Sequence, residues 1–110
     1  MNNLSSVVQA NIEQSEADGG LWLENVPVGK QVLIQTENTL YTLEHPSEDG
    51  WLISGHPKYC PTPASCSISG STWGGSMLKM GFVGVGMHLE FHVEGFSRLT
   101  TSQIKTVESK

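Results

Sequence analysis

The sequence predicts an all-β, mainly antiparallel fold: a small SH3-like or similar β-barrel or sandwich of about seven short strands, with a short N-terminal α-helix. Three observations lead there. The chain has 110 residues, enough for one domain and too few for two comfortable ones. It holds 12 Gly and 5 Pro together with many Ser and Thr, a bias toward short strands joined by turns. After residue 20 the apolar runs are short, and turn signals recur every ~8–12 residues with no helical crossover between them, which makes antiparallel pairing the expectation. The division expected is an arm and linker over residues 1–20 and a single barrel domain over residues 21–110.

Residues 4–16 read as an amphipathic helix. Leu4, Val7, Val8 and Ile12 fall at i, i+3, i+4 and i+8, Asn3 is placed to cap the start, and Gly19 and Gly20 stop it. A helix this short is not stable alone in water, so it is expected to rest on its own barrel or on a second subunit, or to fray. Leu21, Trp22 and Leu23 then form a short apolar run, and Pro27 and Gly29 mark a turn.

Residues 31–36 are dense in β-branched side chains and predict a strand. Glu37 and Asn38 suit a two-residue hairpin turn, because Asn tolerates positive φ. Residues 39–45 form the return strand, residues 46–50 a turn and residues 51–54 a third strand. Residues 55–63 contain Pro57, Pro61 and Pro63 and cannot be an interior strand; a stiffened loop is expected. Residues 64–69 and 76–80 read as strands around a glycine-rich loop at 70–75 that carries Trp73. Gly81, Gly84 and Gly86 suggest bulges, bends or close backbone approach, the devices by which small barrels close. Met87, Leu89, Phe91 and Val93 alternate cleanly with His88, Glu90, His92 and Glu94, so one face is expected in the core and the other in water. Residues 98–107 complete the set as a final strand.

The formal net charge is −5, and it is uneven: residues 1–50 carry eight acids and one base, residues 51–110 three acids and five bases. Scattered bases do not form a phosphate-binding stripe, so nucleic-acid binding is disfavoured. No apolar run approaches the ~20 residues of a membrane span, and Met1 to Ser6 lack the basic and apolar regions of a secretory leader. A cytoplasmic location without membrane association is the expectation, with Cys60 and Cys66 as thiols.

Four constellations carry possible chemistry. His56, Cys60, Cys66, His88 and His92 have the ligand chemistry of zinc, but the two cysteines are six apart and no second pair exists. A disulfide between them and two separate thiols are the other readings. On a strand, His88, Glu90, His92 and Glu94 share one face at about 6.5–7 Å spacing, so neighbours can share an ion or a proton, while a solvated face explains the same pattern. No G-x-S-x-G elbow is present, and residues 50–89 contain no carboxylate, which leaves a hydrolase short of groups. Finally, Trp73 between glycines and the loop residues His56, Lys58 and Tyr59 can together line a small ligand cleft, unless Trp73 is a core plug.

The function expected is a non-enzymatic binding or assembly module. It self-associates through Leu4, Val7, Val8 and Ile12, or binds a protein or small ligand at the loops 56–63 and 70–75, with no cofactor. One alternative is a small metal-dependent or thiol hydrolase using His56, Cys60, His88, Glu90 and His92, with zinc as its metal. Another is single-strand nucleic-acid binding through Trp73, Tyr59, Lys58 and Lys79.

Overall fold

The computed structural model describes residues 19–48, 50–73 and 77–110. The expected arm helix, with Leu4, Val7, Val8 and Ile12, lies outside the described residues. Among the described residues nine strands follow in chain order: β1 Gly20–Trp22, β2 Gln31–Thr36, β3 Leu40–Ser47, β4 Gly50–Ser54, β5 Ala64–Thr72, β6 Leu78–Met80, β7 Phe82–Gly84, β8 His88–Val93 and β9 Leu99–Ser109. A single 3-10 turn, Leu23–Asn25, is the only helical element among the described residues.

Every pairing is antiparallel. The order β4-β3-β2-β9-β8-β5 returns to β4 through the β4–β5 pairing, so six strands close a barrel. Strand β6 extends β5 as a short flap, and β1 pairs with β7 outside the barrel sheet. Closure removes the open edges that a flat sheet of this size would leave.

Alternation explains the core. In β2 the buried positions are Val32, Ile34 and Thr36, and in β3 they include Tyr41 and Leu43. Ile53 of β4, Leu89, Phe91 and Val93 of β8, and Ile104 of β9 fill the rest of one continuous cluster. Each fully buried Leu, Ile or Phe contributes about 1.5–3 kcal/mol. Thr36, buried in this company, satisfies its hydroxyl locally: it donates to the Thr39 carbonyl at 3.0 Å and accepts from the Thr39 amide at 3.1 Å.

Two long strands change partner along their length, and that is how the barrel closes. Strand β5 pairs with β4 at Ala64–Cys66 and with β6 at Gly70–Thr72, while β8 lies along its other side. Strand β9 pairs first with β8 and then with β2. Register breaks at Ile68/Gly70, His88/Glu90 and Gln35/Thr36 supply the bends. At Gly70, φ is 141° and a Cβ would overlap the Lys79 carbonyl oxygen, so only glycine allows the flap to fold this closely onto β5.

Three expectations need correction in detail. The β2–β3 turn contains no positive-φ Asn, because the Thr36 side chain rather than an Asn38 backbone kink ties the turn. The loop expected from residue 70 begins later, since β5 runs on to Thr72 under the flap. The outer row of β8 is not uniformly solvated. His92 is exposed, but Glu90 is buried, flanked by Gly70 of β5 and Thr100 of β9 and met by Arg98, whose Nε lies 3.6 Å from Oε2.

Candidate ligand cleft at one end of the barrel

The β2–β3 turn, the 55–63 loop and the beginning of β9 meet at one end of the barrel. Each is fixed by a local cause. The turn is tied to β9: the Glu37 amide donates to the Gln103 carbonyl at 2.9 Å, and the Asn38 amide donates to Ser102 Oγ at 3.3 Å. In the loop, the Gly55 amide donates to the Cys60 carbonyl at 2.9 Å and the Cys60 amide donates to the His56 carbonyl at 3.0 Å. Cys60 itself is buried in the core cluster and anchors the loop from below. Proline at 57, 61 and 63 restricts the remaining φ angles.

This clamp sets His56. Its Nδ1 accepts the Lys58 amide at 3.1 Å and the Tyr59 amide at 3.4 Å. A nitrogen that accepts backbone N–H groups carries no proton, so the ring's proton sits on Nε2. The ring lies in a row of aromatics. His56 and Tyr59 are 4.6 Å apart, Tyr59 meets Phe96 edge-on at 5.0 Å, and His56 lies over Tyr41 at 6.3 Å. Tyr41 in turn meets Phe91 edge-on at 5.8 Å and so joins the cleft to the core. The Lys58 ammonium sits 5.4 Å from the centre of the Tyr59 ring.

The cleft has a volume of about 240 Å³. Tyr41, Phe91 and Leu99 form its floor, His56 and Tyr59 one wall, and Asn38, Thr39 and residues 100–102 a hydroxyl- and amide-bearing rim. Among the described residues that line it, none is an Asp, Glu, Lys or Arg. Burial pushes the Tyr41 hydroxyl above its ordinary value, with the neighbouring Cys60 acting in the same direction. The surface therefore offers flat apolar rings beside neutral donors and acceptors.

The sequence-derived candidates divide. His56 and Tyr59 line the cleft, while Lys58 stands beside the Tyr59 ring without lining it. Trp73 does not: it follows Thr72 at one end of β5, and the 55–63 loop enters at the other, about 27 Å away along the strand at ordinary rise. Trp73 therefore lines no common cleft with the loop. Tyr41, Phe91 and the β9 rim escaped sequence reading because they are strand residues. Phe96, an aromatic directly after the turn residue Gly95, was the one local signal available.

The zinc grouping is not assembled either. Among the described residues no three His, Cys, Asp or Glu side chains lie together as a metal site. His88 Nδ1 is engaged with the Thr101 carbonyl at 2.8 Å, and His92 points away on an exposed position. Cys60 and Cys66 are both free, so the disulfide reading is not what the structure has. Burial raises the Cys60 thiol and pushes the Cys66 thiol up to about 12, with Cys60 reinforcing the latter shift. Such thiols stay protonated near neutrality and are poor nucleophiles and poor ligands. The Cys66 thiol also faces the Trp51 carbonyl at 3.6 Å.

Among the described residues no helix is long and apolar enough to cross a membrane. Comparison of the chain with protein-family models, with curated proteins and with solved structures returns no match.

Proposed function

We propose that this protein is a binding module whose cleft at the 55–63 loop takes a small uncharged ligand with one apolar face and a polar edge. A pyranose ring has that character. The observation that carries the reading is the row Tyr41, His56, Tyr59 and Phe96 beside a rim of Asn38, Thr39, Thr100 and Ser102, with no Asp, Glu, Lys or Arg among the described lining residues. Rings supply apolar contact at low entropic cost, and the rim supplies orientation.

The same geometry argues for binding rather than catalysis. The thiols are held neutral, and His56 Nδ1 is committed to backbone amides. Among the described residues, the lining holds no carboxylate or lysine to complete an acid–base pair. Saturation-transfer NMR tests the reading with a mixture of methyl glycosides, alkylamines and carboxylates. The expected signal comes from a neutral compound and disappears in Tyr59→Ala. A charged compound whose signal depends on Tyr59, or no Tyr59-dependent signal from any member, overturns it.

A further inference from the structure

We propose that a second cleft, at the far end of β3 from the first, binds the guanidinium or alkylammonium head of an organic cation. The cleft has a volume of about 410 Å³. Its centrepiece is the indole of Trp51 stacked on the imidazole of His45, with centroids 4.3 Å apart and planes within 4°. His45 is held from two sides. Its Nδ1 donates to the Val26 carbonyl at 3.0 Å, and its amide donates to the Lys30 carbonyl at 3.3 Å. Leu23 and Val26, both buried, floor the space.

Charge decides what such a cleft prefers. Among the described residues, the only Asp, Glu, Lys or Arg side chains in the lining are Glu24 and Glu48, on the 3-10 turn and just after β3. Both are exposed, and neither has an ion-pair partner among the described residues. Two unpaired carboxylates beside an aromatic stack and an apolar floor match a cation carried on an apolar stem. The head receives charge-assisted hydrogen bonds, and the stem or the guanidinium plane lies against the rings. A bare metal ion suits the site poorly, because two carboxylates on separate segments make no cage of three or more ligands.

The inference is independent of the first cleft, since it uses none of the same residues. Its test follows the indole N–H resonance of Trp51, assigned with Trp51→Phe, during titration with agmatine, with acetyl-Ala-Arg-Ala-amide and with the neutral isostere butylurea. Agmatine or the peptide is expected to shift the resonance saturably, butylurea to leave it in place, and E24Q/E48Q to weaken binding at least tenfold. Both carboxylates are exposed, so that variant is expected to fold, and an unchanged melting temperature verifies it. Tighter binding of agmatine identifies a free cation as the source, and tighter binding of the peptide an arginine side chain. No shift with either cation, an equal shift with butylurea, or full binding by the folded double variant overturns the proposal.

Discussion

Gly55 packs its backbone directly against the carbonyl of Leu40, leaving no space for a Cβ. Its φ of 124° is one that L side chains avoid. The contact lets the 55–63 loop lie down over the start of β3, which brings His56 over Tyr41. Gly55→Ala is therefore expected to cost about 2 kcal/mol or more, from strain and from overlap together. Urea denaturation measures the loss, and amide shifts of residues 56–60 in the folded variant report whether the loop has lifted. An unchanged midpoint would show that the loop seats in some other way.

Phe91 joins the core to the cleft, because it fills the one and also floors the other. Phe91→Ala is expected to destabilise by about 3–5 kcal/mol, while Phe91→Leu, which keeps a branched apolar side chain and leaves a smaller void, costs about half as much or less. Chemical denaturation of the two variants checks the ratio. Similar small losses would mean that the ring is not buried as described.

The thiols give a pH dependence with a definite sign. Cys66 is raised from the ordinary 9.0 to about 12, chiefly by burial, so folding favours its neutral form. The stabilisation is complete below pH 9, where the unfolded chain also keeps its thiol protonated, and it is lost as pH rises toward 12. Cys60 and Tyr41 are raised as well and act in the same direction. Melting temperature is expected to fall progressively above pH 9, and the native protein at pH 8 is expected to react with a disulfide reagent much more slowly than the same protein in guanidinium. Rapid native labelling of both cysteines would contradict the burial.

Arg98 and Glu90 form a one-sided pair. The arginine side chain is 70% exposed, while Glu90 is largely enclosed. A double-mutant cycle with Arg98→Ala and Glu90→Gln is expected to yield a coupling of about 0.5–1 kcal/mol that shrinks in 1 M salt. A coupling of zero at low salt would remove Arg98 from any role in covering the carboxylate.

Local pattern carried much of this architecture. Residues 31–36 form the expected strand without a change of boundary, the β8 alternation puts Leu89, Phe91 and Val93 in the core, and the proline-rich stretch 55–63 is a loop. Glu90 shows the limit. Period-2 alternation assigns it to a face, but whether that face is wet depends on the strands and side chains beside it, which are distant in sequence. Closure of β4 onto β5 and the exchange of partners along β5 and β9 are likewise non-local. The same reasoning separates the site residues. His56, Lys58 and Tyr59 lie in one short stiff loop, so their proximity was legible. The opposite rim comes from Asn38 and Ser102, and the distance to Trp73 is set by the length of β5, which runs past its expected end at Ser69 to Thr72.

The central claim is that the aromatic cleft at the 55–63 loop, and not the Trp73 region, binds the ligand. Amide chemical-shift mapping with methyl glycosides on the wild type, Tyr59→Ala and Trp73→Ala tests it most directly. The expected shifts cluster at residues 38–39, 56–59 and 100–102, vanish in Tyr59→Ala and persist in Trp73→Ala. Shifts centred on Trp73, or shifts at the cleft that survive loss of the Tyr59 ring, would contradict it.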